Sequence, residues 1–156
     1  MTGCCARPAC SDLSVSLYDQ GMRIAFGTDE RTDVTEAVKA RLVDGGHDLV
    51  LLGDGDPWPD VGRRVGEAVS TGAADRGVVC CWTGTGVSIA ANKVPGVRAA
   101  LCTDAATADG ARRWNDANVL ALGLRLTSAP VAGEILEAFL AGEPEAGEAA
   151  HIADLG

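Results

Sequence analysis

Aromatic residues are scarce in this chain of 156 residues: three Trp, two Phe and one Tyr. Any core built from it must therefore be aliphatic and rich in Ala. Cations are scarce as well, 13 Lys and Arg against 22 Asp and Glu, which gives a formal net charge of −9 and a pI near 4.5. That balance speaks against nucleic acid as a main partner, because neutralising phosphates takes clustered basic side chains. It also weighs mildly against a strongly anionic substrate, unless a local basic pocket overrides the overall field. No apolar run approaches the roughly 20 residues of a membrane span. The opening segment MTGCCARPACSDLSVSLYDQ lacks the basic start and long apolar stretch of a signal peptide. The expectation is a cytoplasmic protein with reduced thiols and no membrane partner.

A disulfide framework is missing too, although there are six cysteines. Cys80, Cys81 and Cys102 fall in apolar, strand-like runs, where a free Cys serves as a small core residue. Cys4, Cys5 and Cys10 lie in a Pro-containing polar leader, and no His or second Cys pair completes a zinc pattern. No metal or cofactor is expected. Residues 1–21 read as a disordered leader, with Met22 a candidate start. Residues 22–156 read as one domain, long enough to bury a core, with a tail of weak pattern from about residue 141. Hydrophobic residues make up 47% and charged residues 22%, the balance of a globular chain.

From Met22 the chain alternates short apolar runs with helical patterns. Strands are predicted at 23–26, 48–52, 77–81, 97–102 and 119–122. Helices are predicted at 33–43, from about Pro59 to Ser70, from about Gly86, over 104–113, and from a Thr127 or Ser128 cap to about Leu140. Asp33 and Glu36 have capping-box spacing, Asp104 is a candidate N-cap, and Pro130 suits a first turn. Five apolar strands alternating with helices predict an α/β fold with a parallel sheet covered on both faces. The pattern leaves the strand order open.

The most informative stretch is VVCCWTGTGVSIAANK, residues 78–93. It reads as a strand ending in a thiol, a Gly-rich turn and a helix start, the place where α/β sheets bind ligands. Gly84 and Gly86 let backbone N–H groups approach a bound oxygen, and the helix N-terminus favours negative charge. Cys81 and Thr83 add a base and a hydroxyl. A dinucleotide fingerprint would need Gly where Ile89 stands and should follow the first strand, and a P-loop would need a Lys-Ser or Lys-Thr pair. Neither motif is present. Cys80, one residue away on the strand, points to the opposite face and reads as core.

The block CWTGTGVSIAANKVPGVRAALCTD, followed by NDANVLALGLR, resembles the ribose-5-phosphate isomerase B / galactose-6-phosphate isomerase family. The resemblance runs from about Met22 to about Leu140. It implies a Rossmann-like three-layer α/β/α sandwich around a five-stranded parallel sheet, in homodimers or tetramers whose active sites are shared between subunits. It also implies metal-independent interconversion of aldose and ketose sugar phosphates through an enediolate. By the same resemblance Cys81 is the proton-transferring base and Thr83 the hydroxyl that assists ring opening. The backbone of Trp82, Gly84, Thr85 and Gly86 cradles the oxyanion, and Asp29, Asn115 and Arg125 bind the substrate. A helix N-terminus favours the thiolate form of a cysteine, in keeping with the first of these roles.

The chain departs from that family at several substrate-facing positions. Glu30 stands where the family carries a His, and Trp114 where it carries its ring-opening His. In the C-terminal tail, Glu148, Ala149 and Ile152 take the places of phosphate-holding Arg and His residues, which leaves His151 as the basic candidate. Trp58-Pro59 replaces Tyr-Pro. Trp58 and Trp114 are expected to form pocket wall, since an indole is no acid near neutral pH. A phosphate needs cations or several N–H donors. The expected function is therefore an isomerase of this type acting on an altered sugar-like substrate, one that is unphosphorylated or bears a bulky group. The alternative is a non-catalytic or partner-dependent homologue that has lost phosphate binding.

Overall fold

The computed structural model describes residues 21–156, so the leader, apart from Gly21, lies outside the described residues. Five parallel strands form one sheet: β1 (Arg23–Thr28), β2 (Asp48–Asp54), β3 (Arg76–Cys81), β4 (Ala99–Leu101) and β5 (Val119–Gly123). Their order is β2-β1-β3-β5-β4. The chain leaves β1 toward one edge to make β2, then returns to the other side of β1 to make β3. The carboxyl ends of β1 and β3 therefore flank the switch point of the sheet, where loops diverge and leave a crevice.

The intervening helices are α1 (Asp33–Asp44), α2 (Trp58–Ser70), α3 (Thr85–Asn92), α4 (Ala105–Asn115) and α5 (Ala129–Ala141). Side chains alternate across the strands and split the core into two layers. Ile24, Phe26, Val78, Cys80, Leu120 and Leu122 pack against α1, α4 and α5. Ala25, Val79, Cys81 and Ala121 pack against α2 and α3. This is the expected three-layer α/β/α arrangement. The opposite orientation of Cys80 and Cys81 follows directly from the strand pleat.

Three local readings change. The cap of α1 is Thr32, whose side chain accepts from Thr35 N while Thr35 Oγ1 accepts from Thr32 N at 2.9 Å. A Thr pair one residue earlier thus does what was expected of Asp33 and Glu36, because the compact hydroxyls reach both orphan N–H groups. Strand β4 is three residues long rather than six. It lies at the sheet edge, and the Asn92 side chain occupies part of its free side, accepting from Ala99 N at 2.8 Å and donating to Ala99 O at 2.9 Å. The tail is ordered into a 3-10 turn (Ala146–Glu148) and a helix α6 (Ala149–Asp154). What holds it is not its own apolar pattern but Arg113, whose carbonyl accepts from Glu145 N at 2.8 Å and whose Nε donates to Glu145 at 2.7 Å. The caps Asp104, which accepts from Thr107 N at 2.7 Å, and Ser128 agree with the sequence reading.

Candidate active site

The crevice at the switch point is lined by Asp29, Trp58, Cys81, Trp82, Thr83, Thr85 and Gly86, with a volume of about 350 Å³. Each comes from a strand end or a helix start. Cys81 is the last residue of β3, is 5% exposed and lines the crevice. Gly84 then turns the chain into α3 with φ 76°, a left-handed conformation suited to glycine. A Cβ there would also sit 2.4 Å from Leu101 Cδ1 and 2.8 Å from Gly123 N, so the turn packs directly on β4 and β5.

Helix α3 begins without a side-chain cap, and its first internal bond runs from Ser88 N to Gly84 O at 3.2 Å. The N–H groups of Thr85, Gly86 and Val87 precede that bond and have no intrahelical acceptor. They form a donor set beside the Cys81 thiol, of the kind that stabilises a developing oxyanion. Thr83 and Thr85 hydroxyls lie 2.8 Å apart across the turn. Trp58, at the start of α2, lies against Gly86: a Cβ on Gly86 would approach its indole to 2.9 Å.

Asp29 follows β1 and faces Cys81 across the crevice. The buried Thr28 hydroxyl fixes this turn by donating to Glu30 O at 2.7 Å and accepting from Glu30 N at 3.3 Å. One carboxylate oxygen of Asp29, Oδ1, is buried without a hydrogen-bond partner. Desolvation, with a smaller contribution from the adjacent Glu30, raises the Asp29 pKa above the ordinary carboxylate value, against a lowering by a backbone hydrogen bond. Cys80, behind the sheet, has its pKa raised by burial.

A smaller pocket of about 130 Å³ adjoins the crevice and shares Trp82 and Thr83 with it. Arg125, beyond the end of β5, lines it together with Leu101, Thr103, Leu126 and Thr127. The sequence reading did not place these last four in the site. Their signal was their position at or just past the carboxyl ends of β4 and β5. Among the described residues no three His, Cys, Asp or Glu side chains converge as metal ligands.

The profile of the Ribose/Galactose Isomerase family matches residues 24–155. The chain belongs to this family. It is 36% identical over 130 residues to the ribose-5-phosphate isomerase B of Escherichia coli K12, covering 80% of this chain and 87% of that one. It is also 36% identical over 137 residues to a D-erythrulose-4-phosphate isomerase of Pectobacterium atrosepticum, covering 83% and 89% respectively. Its fold superposes on the Clostridium thermocellum ribose-5-phosphate isomerase B with a TM-score of 0.82 at 38% identity, covering 86% of this chain and 95% of that one.

In this family member one copy of the chain does not bring all the expected site residues together. Cys81, Trp82, Thr83, Gly84, Thr85, Gly86, Asp29, Glu30, Trp58 and Arg125 gather at the carboxyl end of the sheet. Trp114 and Asn115 end α4, which runs back to the amino end. There they line a separate groove of about 890 Å³ between β4, α4 and Leu155. Trp114 lies along α4, its indole where a Cβ on Gly110 would approach to 2.6 Å and with the Arg113 guanidinium 5.6 Å from its ring. The turn after it is held by Asp116, in a left-handed conformation with φ 44°. Asp116 accepts from Arg112 at 2.7 Å and from Arg98 at 2.9 Å.

Proposed function

We propose that the protein is an aldose–ketose isomerase of the ribose-5-phosphate isomerase B type with Cys81 as its base. The thiolate takes the proton from C2 of the open-chain aldose. The electron pair closes the C1–C2 double bond, and charge collects on the carbonyl oxygen, where the N–H groups at the start of α3 receive it. The thiol then returns the proton to C1 while a hydroxyl proton passes from O2 to O1, which gives the ketose without net change. Thr83, hydrogen-bonded to Thr85, assists ring opening, and Asp29 accepts from a substrate hydroxyl. The observation that carries this reading is the meeting of a nearly buried thiol and an uncapped helix start in one crevice at the switch point.

The substrate in this reading is altered from a simple pentose phosphate and carries no phosphate. Support comes from the crevice itself, whose charged lining residue is a carboxylate, and from Glu148, Ala149 and Ile152 in the tail. The active unit is a homodimer or tetramer in which Trp114 and Asn115 of one copy complete the crevice of another. Their position at the far end of the sheet favours this, and it equally favours a second reading, a partner-dependent subunit.

The test is deuterium incorporation from D2O into a panel of aldoses and ketoses, each with and without phosphate, using wild type and Cys81→Ala. Cys81-dependent exchange at the carbon next to the carbonyl is the expected result. No exchange with any sugar would remove the isomerase reading and leave the partner-dependent one. Exchange confined to phosphorylated sugars would remove the altered substrate.

A further inference from the structure

The charges around the crevice say more about the ligand than the loss of phosphate contacts does. Nearly every guanidinium and ammonium group among the described residues is held in an ion pair; the exceptions are Arg76, Lys93 and Arg125. Arg76 opens β3 and Lys93 closes α3, both at the amino end of the sheet. Only Arg125 is at the carboxyl end, and it lines the adjoining pocket rather than the crevice. Arg31, the cation next in sequence to Asp29 and Glu30, is turned away to Asp54 at 2.9 Å.

The crevice instead presents two indoles, Trp58 at 45% and Trp82 at 54% exposure, and the Asp29 carboxylate with an unpartnered oxygen. Glu30, with no ion pair of its own, adds a second negative charge beside it. At the far end, among the described residues, Arg76 and Lys93 carry no ion pair, but the cations that flank Trp114 and Asn115 are engaged. Arg113, next to Trp114 and Asn115, is engaged by Asp109 and Glu145, and His151 meets Glu148 at 2.8 Å. Indole faces and carboxylates in a partly desolvated cleft attract a cation through the ring quadrupole and through direct charge. An ammonium group would satisfy Asp29 Oδ1 and offset the repulsion between Asp29 and Glu30. A phosphate dianion would add to that repulsion.

We infer that the crevice takes an amine-bearing, sugar-like substrate whose ammonium group meets the Asp29 carboxylate and the Trp58 and Trp82 indoles. This rests on the isomerase reading for the reaction but not for the binding. The ammonium belongs at a carbon remote from C1 and C2, which leaves the proton transfer at Cys81 unobstructed.

Calorimetry at pH 7 and low salt with D-glucose, 6-amino-6-deoxy-D-glucose and D-glucose 6-phosphate tests it, on wild type, Asp29→Asn and Cys81→Ala. The expected result is an amino sugar at least about tenfold tighter than the neutral one, no gain for the phosphate, and, in Asp29→Asn, an amino sugar no tighter than the neutral one, whatever the affinity of that variant for the neutral sugar. Cys81→Ala should bind like wild type. A phosphate tighter than the neutral sugar, an amine preference that survives in Asp29→Asn, or no amine preference at all overturns the inference. Amine-selective binding without Cys81-dependent deuterium exchange would instead overturn the isomerase reading and leave this inference standing.

Discussion

Cys80 and Cys81 are neighbours in sequence with opposite surroundings. Cys80 is fully buried against Phe26, Leu122 and the α1–α4–α5 layer, and burial raises its pKa. Cys102 is buried as well, and its thiol is pushed up to about 11 by desolvation and by Asp104. A small alkylating agent at pH 8 should therefore modify Cys81 before either of the others, and peptide mapping after brief treatment reads this directly. Cys81→Ala should lower deuterium exchange into the substrate by about 10³-fold, within the range of a lost general base. Cys80→Ala should leave exchange within a few-fold and cost about 1 kcal/mol of stability through the vacated core volume. Asp29 supplies a prediction of opposite sign. Its folded pKa is raised, so its favourable contribution is complete below the ordinary Asp pKa and is lost as pH rises through the raised value. At neutral pH the ionised Asp29 is thus a net cost to folding. Asp29→Asn should melt at a higher temperature than wild type at pH 7 and at the same temperature near pH 3. Equal melting temperatures at both would remove the desolvation argument.

At the scale of elements, the five strands and the helices between them were legible because each strand is a short apolar run bounded by turn residues. The Cys81–Gly86 turn was legible for a different reason: a thiol followed by Trp-Thr-Gly-Thr-Gly at a strand end has little use as plain connection. The ordering of the tail was not legible, since α6 is tied down by Arg113 and Arg112 of a distant helix, through Glu145 and through Gly142 O at 3.0 Å. The edge position of β4 was not legible either, because strand order depends on crossovers that local pattern does not encode. The separation of Trp114 and Asn115 from Cys81 could have been foreseen: a helix that leaves the carboxyl end of one parallel strand must finish at the amino end of the next. What fixes that far end is Asp116, which joins Arg98 and the fully buried Arg112 while its backbone takes a left-handed turn. Asp116→Ala should cost about 3 kcal/mol in denaturant unfolding, because it leaves the Arg112 charge unpaired in the interior. Asp116→Asn should cost clearly less, since Asn accepts a hydrogen bond and tolerates the left-handed region.

For the whole molecule, the distance between the two groups of site residues has a consequence that does not depend on which sugar is used. If Trp114 and Asn115 of one copy serve the crevice of another, every active site of a dimer contains residues from both chains. Cys81→Ala and Asn115→Ala homodimers would then each carry two defective sites. In a mixed dimer one site collects both substitutions and the other receives neither. Random reassembly of an equal mixture places half of the chains in mixed dimers, each with one intact site, so about a quarter of wild-type exchange activity should return. Co-refolding the two variants and following deuterium exchange measures this. Recovery near a quarter would establish a site built by two copies. A mixture as inactive as its components, from dimers shown to have exchanged subunits, would place both residues in the same copy's site or leave Asn115 outside the chemistry. The large groove lined by Trp114, Asn115 and Leu155 would then need a different explanation.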